Sequence, residues 1–254
     1  MTTLHASAFT LQPASPVMPA LAPPLLKYSD AIKRVDNTVT ISLLNEQATI
    51  NITADHNNQL TAIINNEAHP LGIENSEKSA IKIRTGNYRD KIKISDNVMT
   101  QMDIDSGGNR DFIKSGGSPY TRIRAGSGDD SVILGSGGGS ADGGLGNDRM
   151  FGGPGRNRLS GGPGTNSFFT AEKHHAHTYI ESDGEEDTIE LLSGTTKIQA
   201  YSGKPTVNVG SEAGVELTLL QSTTGGKIII NDNYNRRNVH IHGFIEGVHK
   251  IISK

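Results

Sequence analysis

The sequence predicts an all-β protein, and three observations lead there. Apolar residues alternate with polar ones along short segments, the middle of the chain repeats with a period of nine, and helical spacing is missing beyond one short turn around Asp30 to Val35. Alternation places one set of side chains on one face of a strand and the next set on the other.

The first 29 of the 254 residues hold half of the ten prolines, no Asp or Glu, and one charge at Lys27. Such a stretch cannot bury enough apolar surface to offset its ordering entropy, so residues 1–34 are expected to be a disordered leader. The first 26 residues contain no Lys or Arg, which argues against a Sec-type signal peptide. With Leu4 near the start and its Ser/Thr/Pro/Ala enrichment, the leader resembles the secretion leaders of type III effectors from plant-associated bacteria. The longest early apolar run, Val17 to Leu26, is ten residues with three prolines, too short to span a bilayer.

From Asp36 the alternation begins: Val39, Ile41 and Leu43, then Ile50 and Ile52, then Leu60, Ala62 and Ile64, broken by turn residues such as Asp55-His56-Asn57-Asn58. Period two with polar breaks reads as short antiparallel strands, and residues 35–79 are expected to form an N-terminal β cap.

From Ala125 the chain divides without a gap into five nonapeptides, AGSGDDSVI, LGSGGGSAD, GGLGNDRMF, GGPGRNRLS and GGPGTNSFF. Positions two and four are glycine throughout, including Gly126, Gly128, Gly144 and Gly146, and position eight is always apolar: Val132, Ala141, Met150, Leu159 and Phe168. The array explains the composition, because nineteen of the 30 glycines lie between Ser106 and Thr165. A fixed short period of this kind marks a solenoid.

The best copy, Gly143-Gly144-Leu145-Gly146-Asn147-Asp148-Arg149-Met150-Phe151, matches G-G-x-G-x-D-x-U-x, and the array resembles the hemolysin-type nonapeptide repeats of RTX proteins. That resemblance implies a right-handed parallel β-roll, a β-solenoid in which two nonapeptides make one coil and calcium is held between successive glycine-rich turns. With the sixth-position acid as register mark, degenerate copies extend the column to Asp90, Asp111, Asp130, Asp148, Asn166 and Asp187, with spacings of 21, 19, 18, 18 and 21 residues. Each step is one coil, so about six coils are expected over residues 80–192.

Glycine-rich turns expose carbonyl oxygens, and calcium takes six to eight oxygens. The resemblance therefore makes Asp111, Asp130 and Asp148 the first candidate calcium ligands. The carbonyls of Gly126, Gly128, Gly144 and Gly146, together with Asn166, Asp90 and Asp187, complete the set, and Asp129 and Asn147 stand beside them. Asp90 and Asp187 sit in turns without the glycine pair. The opposite edge carries Gly139 and Asn157 at the matching positions, preceded by Thr121 or Tyr120, so calcium is expected on one edge only. A metal-free alternative stays open: an Asp/Asn ladder that bonds turn amides in the manner of Asx turns.

Cysteine is absent, which excludes disulfides, thiolate zinc and cysteine catalysis. A net charge of −3 argues against a nucleic-acid partner. No H-E-x-x-H, G-x-S-x-G or P-loop occurs. Asp103-x-Asp105-x-Gly107 lacks the EF-hand's closing Glu, because Lys114 stands there. His174, His175 and His177 read as a solvated strand exit, and His240 and His242 as the polar face of a strand. Lys82, Arg84, Lys91, Lys93, Lys114, Arg122 and Arg124 fall on outward positions, as in polysaccharide lyases built on parallel β-helices, although a solvated charged face explains them equally well.

After residue 192 short alternating strands return, and residues 193–254 are expected to cap the solenoid, since an open sheet edge invites association. Type I substrates of the RTX family carry a C-terminal export signal, but the ending His249-Lys250-Ile251-Ile252-Ser253-Lys254 is basic. The expectation is a secreted bacterial, monomeric RTX-like calcium-binding solenoid, exported by a type III or type I route. It would act as a non-enzymatic effector or interaction module toward a host protein or surface glycan, with no nucleic acid and no membrane span. The alternatives are a lyase-like carbohydrate-active enzyme or a fragment of a larger RTX toxin.

Overall fold

The computed structural model describes residues 27–172, 176–219, 226–230, 239–242 and 249–253. Residues 1–26 of the expected leader lie outside them, as do His174 and His175, but residues 27–34, expected to be disordered with the rest of the leader, are ordered, because they turn and pair onto the first rung of the sheet.

Among the described residues the chain is a β-solenoid with no α-helix, opened by a single 3-10 turn at Ser29–Ala31. β1 (Ile32–Val35) pairs antiparallel with β2 (Thr38–Leu43), and β2 is followed by β3 (Thr49–Ala54). β3 continues into an antiparallel excursion, β4 (Gln59–Ile64) and β5 (Glu67–Glu74). Two-strand coils then follow: β6 (Ala80–Thr85) with β7 (Lys91–Ile94), β8 (Gln101–Asp105) with β9 (Phe112–Lys114), and β10 (Thr121–Ser127) with β11 (Ser131–Ile133). Next come β12 (Gly138–Leu145) with β13 (Arg149–Phe151) and β14 (Arg156–Ser160) with β15 (Ser167–Phe169). β16 (His177–Ser182) leads into β17 (Thr188–Ala200) and β18 (Thr206–Leu219), and the chain ends with β19 (Gly226–Ile230), β20 (Val239–His242) and β21 (His249–Ser253).

All coil-to-coil pairing is parallel and forms two sheets. In the first, β2, β6, β8, β10, β12, β14 and β16 stack in turn. In the second, β3, β7, β9, β11, β13, β15 and the start of β17 do the same. The long β17 and β18 serve both sheets, with a register shift between Leu191 and Ser193 where the chain turns the corner. Residues 80–192 thus contain six coils, as the acid column predicts. The ladders also run into both flanking segments: β2 and β3 are rungs beneath β6 and β7, and β18 to β21 continue the stack at the other end.

The eighth-position residues point inward as the repeat requires. Ile50, Ile92, Ile113, Val132, Met150, Phe168, Ile189 and Val207 form one continuous buried row across the second sheet. Facing it, the first sheet buries Ile41, Ile83, Ile104, Ile123, Ala141, Leu159, Ile180 and Ile198. Each fully buried Ile or Phe contributes roughly 1.5–3 kcal/mol, but only because the neighbouring coil covers it. Gly144 shows why the turns need glycine: its φ is +98°, and a Cβ there would collide with the Gly126 carbonyl of the coil below.

The aspartate column as the candidate functional site

The column occupies one corner of the solenoid, each member immediately preceding a strand of the second sheet. Asp90, Asp111, Asp130, Asp148, Asn166 and Asp187 are each at most 2% exposed. The structure therefore brings all six predicted positions into one line. Each residue bonds the next coil through its backbone and the preceding coil through its side chain.

The side-chain bonds form an unbroken series. Ala48 N–H donates to Asp90 Oδ1 at 2.6 Å, Asp90 N–H to Asp111 Oδ1 at 2.7 Å, and Asp111 N–H to Asp130 Oδ1 at 2.7 Å. Asp130 N–H donates to Asp148 Oδ1 at 2.8 Å, Asp148 N–H to Asn166 Oδ1 at 3.0 Å, and Asn166 N–H to Asp187 Oδ1 at 2.7 Å. The column carbonyls accept from the following coil at the same level, for example Ser131 N–H on Asp111 and Arg149 N–H on Asp130. These side chains supply the corner amides with the acceptors that the sheet ladder does not offer there.

The second oxygens differ from rung to rung. Oδ2 of Asp90, Asp111, Asp130 and Asp148 is buried with no hydrogen-bond partner. Asp187 is satisfied, because its Oδ2 accepts from Ser182 Oγ at 2.7 Å and Gly184 N–H at 3.2 Å. The residues matching Ser182 at Asp90 and Asp111 are Thr85 and Ser106, whose hydroxyls stand near enough to lower both carboxyls somewhat but donate to the Ser106 and Ala125 carbonyls at 3.0 and 2.8 Å, leaving Oδ2 without a donor. Beneath Asp130 and Asp148 stand Ala125 and Gly143, which have no hydroxyl. At the Asn166 rung, Nδ2 lies over Gly161 as Asp148 Oδ2 lies over Gly143, and it donates to the Gly162 carbonyl at 2.9 Å.

Burial, with the charges of neighbouring carboxylates, pushes Asp111 up to about 7 and Asp148 to about 7, and burial with the nearby Asp129 pushes Asp130 to about 6. Burial likewise raises Asp90 and Asp187 above the usual carboxylate range. A stack of ionised carboxylates in this dry corner is costly, and a proton or a cation relieves it. The donor chemistry suits a hard cation: partnerless carboxylate oxygens beside glycine-rich turns, with no soft ligand. Among the described residues no three acidic or histidine side chains converge on one point, so such an ion would rely heavily on backbone carbonyls.

Asp129 and Asn147 do not point into the column. They form an outer ladder, with Asn147 N–H donating to Asp129 Oδ1 at 3.0 Å, Thr165 N–H to Asn147 Oδ1 at 2.8 Å, and Arg110 pairing with Asp129 at 3.2 Å. On the opposite edge Asn157 bonds within its own turn, to Gly153 N–H at 3.0 Å and the Gly153 carbonyl at 2.7 Å, so the two edges differ as the repeat predicts. His177, His240 and His242 are exposed.

The seven outward cations divide between two faces. Lys82, Arg84, Arg122 and Arg124 lie on the first sheet, where Asp103 Oδ2 meets Arg84 at 2.6 Å, and Asp103 Oδ1 and Asp105 meet Arg124 at 3.2 and 3.6 Å. Lys91, Lys93 and Lys114 lie on the second, beside Arg89, Arg110 and Arg149, which the sequence reading did not single out. Their signal is their place in the repeat, since positions five and seven flank the inward acid and face outward on the same edge.

No helix among the described residues is long and apolar enough to cross a membrane. Comparison with family models, curated proteins and solved structures returns no match.

Proposed function

We propose that this chain is a secreted RTX-like β-solenoid acting as a non-enzymatic interaction module or effector, and that it takes up calcium along the aspartate edge. The observation that carries the calcium reading is the run of four buried carboxylate oxygens without partners, on Asp90, Asp111, Asp130 and Asp148. Asp111, Asp130 and Asp148 would hold the ion together with carbonyls of Gly126, Gly128, Gly144 and Gly146. Asn166 and Asp187 have their side-chain atoms bonded already and close the site at its far end. Bound calcium would neutralise the column, and binding only to the folded state couples folding to the ion. Secretion rests on the repeat and leader resemblances alone.

The metal-free ladder is the second reading, favoured by Asn166, whose amide occupies the same corner with both its oxygen and its nitrogen bonded. A calcium titration of the full chain by calorimetry and circular dichroism separates the two, run beside the triple variant Asp111→Asn, Asp130→Asn, Asp148→Asn. Calcium uptake is expected in the parent, with a rise in melting temperature, and neither in the variant. Absence of binding heat and of any melting shift in the parent would make the column a ladder and remove calcium from the proposal.

A further inference from the structure

We infer that the outer face of the second sheet, beside the aspartate column, is a docking groove for an acidic polysaccharide. The groove is open, about 860 Å³, and runs along the solenoid axis across β3, β7, β9, β11 and β13. Arg89, Lys91, Lys93, Arg110 and Arg149 line it against a single exposed carboxylate, Asp129, which Arg110 pairs. Arg89, Lys91, Lys93 and Arg149 are exposed and have no carboxylate partner among the described residues. The aspartates at the groove floor turn their carboxylates inward, at most 2% exposed, and do not face a ligand.

The contrast with the first sheet gives this face its meaning. There Asp103 and Asp105 neutralise Arg84 and Arg124, Glu181 meets Arg158 at 2.7 Å, and Glu216 meets Lys197 at 2.8 Å. Both faces are cut from the same repeat, yet among the described residues Lys82 and Arg122 on the first share a rung position with Asp103, whereas Arg89, Lys91 and Lys93 on the second stand side by side with no carboxylate opposite Lys91 or Lys93.

The spacing selects the partner. Lys91, Phe112, Ser131 and Arg149 occupy one outward position on four consecutive rungs. Rungs lie about 4.8 Å apart, so the row is about 14 Å long, and each step is close to the length of one sugar ring. Lys91 and Arg149 hold the two ends of this row and Arg89, Lys93 and Arg110 flank it, so a linear chain with a carboxylate on every ring meets a cation at either end and others alongside. Phe112 offers an apolar surface to a sugar face, and Lys93 stands 5.7 Å from its ring centre. Arg149 is propped over the Phe151–Phe169 pair, 5.5 Å from the Phe169 ring, while those two rings stack on each other at 4.6 Å. Phe112 is therefore left as a lone aromatic platform in the groove, whereas single-stranded nucleic acid needs one for each successive base.

The inference deepens the interaction-module reading by naming its surface and ligand class, and rests on that reading only for the claim that the sugar chain is held and not cut. The test is binding of a short oligogalacturonate to the full chain by calorimetry, with circular dichroism in the same buffer to confirm the fold. Binding is expected to weaken as ionic strength rises, because exposed charges are screened. It should fall at least about tenfold in the triple variant Lys91→Ala, Lys93→Ala, Arg149→Ala and stay unchanged in Lys82→Ala, Arg122→Ala on the other face. A methyl-esterified oligomer should not bind. No binding by the folded chain, equal loss in both variants, or tighter binding of single-stranded DNA would overturn the groove. Cleavage of the bound oligomer would instead overturn the non-enzymatic reading and leave the groove standing.

Discussion

Asn166 fills with a carboxamide the corner that Asp148 fills with a carboxylate one coil earlier. Asn166 Oδ1 accepts the Asp148 N–H at 3.0 Å, as Asp148 Oδ1 accepts the Asp130 N–H at 2.8 Å. The difference lies in the second atom. Asn166 Nδ2 donates to the Gly162 carbonyl at 2.9 Å, whereas Asp148 Oδ2 meets no donor.

Asp148→Asn is therefore expected to preserve the ladder and, in chelator at neutral pH, to raise stability by about 1–3 kcal/mol, the cost of one buried unsatisfied polar group. Asp148→Ala removes the acceptor for the Asp130 amide and should lower stability by a similar amount. Urea unfolding of both variants checks the opposite signs. A loss of stability in both would show that the carboxylate is specifically needed, even without metal.

The column also sets the pH dependence of the metal-free chain. Asp111 and Asp148 near 7 and Asp130 near 6 lie above the ordinary carboxylate value of 3.8, so between about pH 4 and 7 the folded state binds more protons than the unfolded. Their contribution is greatest below about pH 4 and is lost as pH rises to about 7, after which it is flat. Burial thus makes each of these groups weaken the fold at neutral pH. Melting in chelator should thus occur at a higher temperature at pH 5 than at pH 8, and the triple Asp→Asn variant should flatten that slope. Calcium competes with protons for the same oxygens, so its stabilisation should grow with pH across the same window.

Glycines in the turns are not interchangeable. Gly144→Ala puts a side chain at φ +98° and drives its Cβ into the Gly126 carbonyl, and that backbone cannot move without its own coil. Gly152→Ala meets Asn157 Nδ2 at 3.3 Å, the end of a side chain that can give slightly. Thermal melting should show a loss above about 2 kcal/mol for the first and under about 1 kcal/mol for the second.

The repeat made much of this legible because its period ties three properties to one register: glycine at the turn, acid at the corner, apolar residue inside. Once Asp148 and Met150 are placed, Asp130 with Val132 and Asp111 with Ile113 follow from counting eighteen or nineteen residues. Outside the array the alternation of Val39, Ile41 and Leu43 reveals a strand but not its partner, since period two is the same in parallel and antiparallel pairing. β2 in fact uses both, antiparallel to β1 and parallel to β6. The partnerless Oδ2 atoms were beyond the sequence, because they depend on whether a hydroxyl such as Ser106 or Ser182 turns toward the carboxylate or toward a carbonyl. The charge asymmetry of the two faces needed the register as well, for only stacking shows that the strand carrying Asp103 and Asp105 lies between those carrying Lys82 with Arg84 and Arg122 with Arg124.

That aspartate supplies the last prediction. Burial pushes the Asp103 carboxyl up, but its bond to Arg84 and the charges of Arg84, Arg124 and Arg122 outweigh this and hold it below the usual carboxylate range. The three side chains are about one-third exposed, so water screens their pairing and Asp103→Ala should cost only about 1 kcal/mol in urea unfolding. Its electrostatic effect is larger than its effect on stability. Removing Asp103 leaves Lys82 and Arg84 facing Arg122 and Arg124 across the one intervening rung, β8, with Asp105 the nearest remaining acid, so that cations gather on the first sheet as they do on the second. The variant should therefore gain a second, weaker and salt-sensitive site for oligogalacturonate, visible as increased stoichiometry in calorimetry. Unchanged stoichiometry would show that clustered cations alone are not sufficient to make such a site.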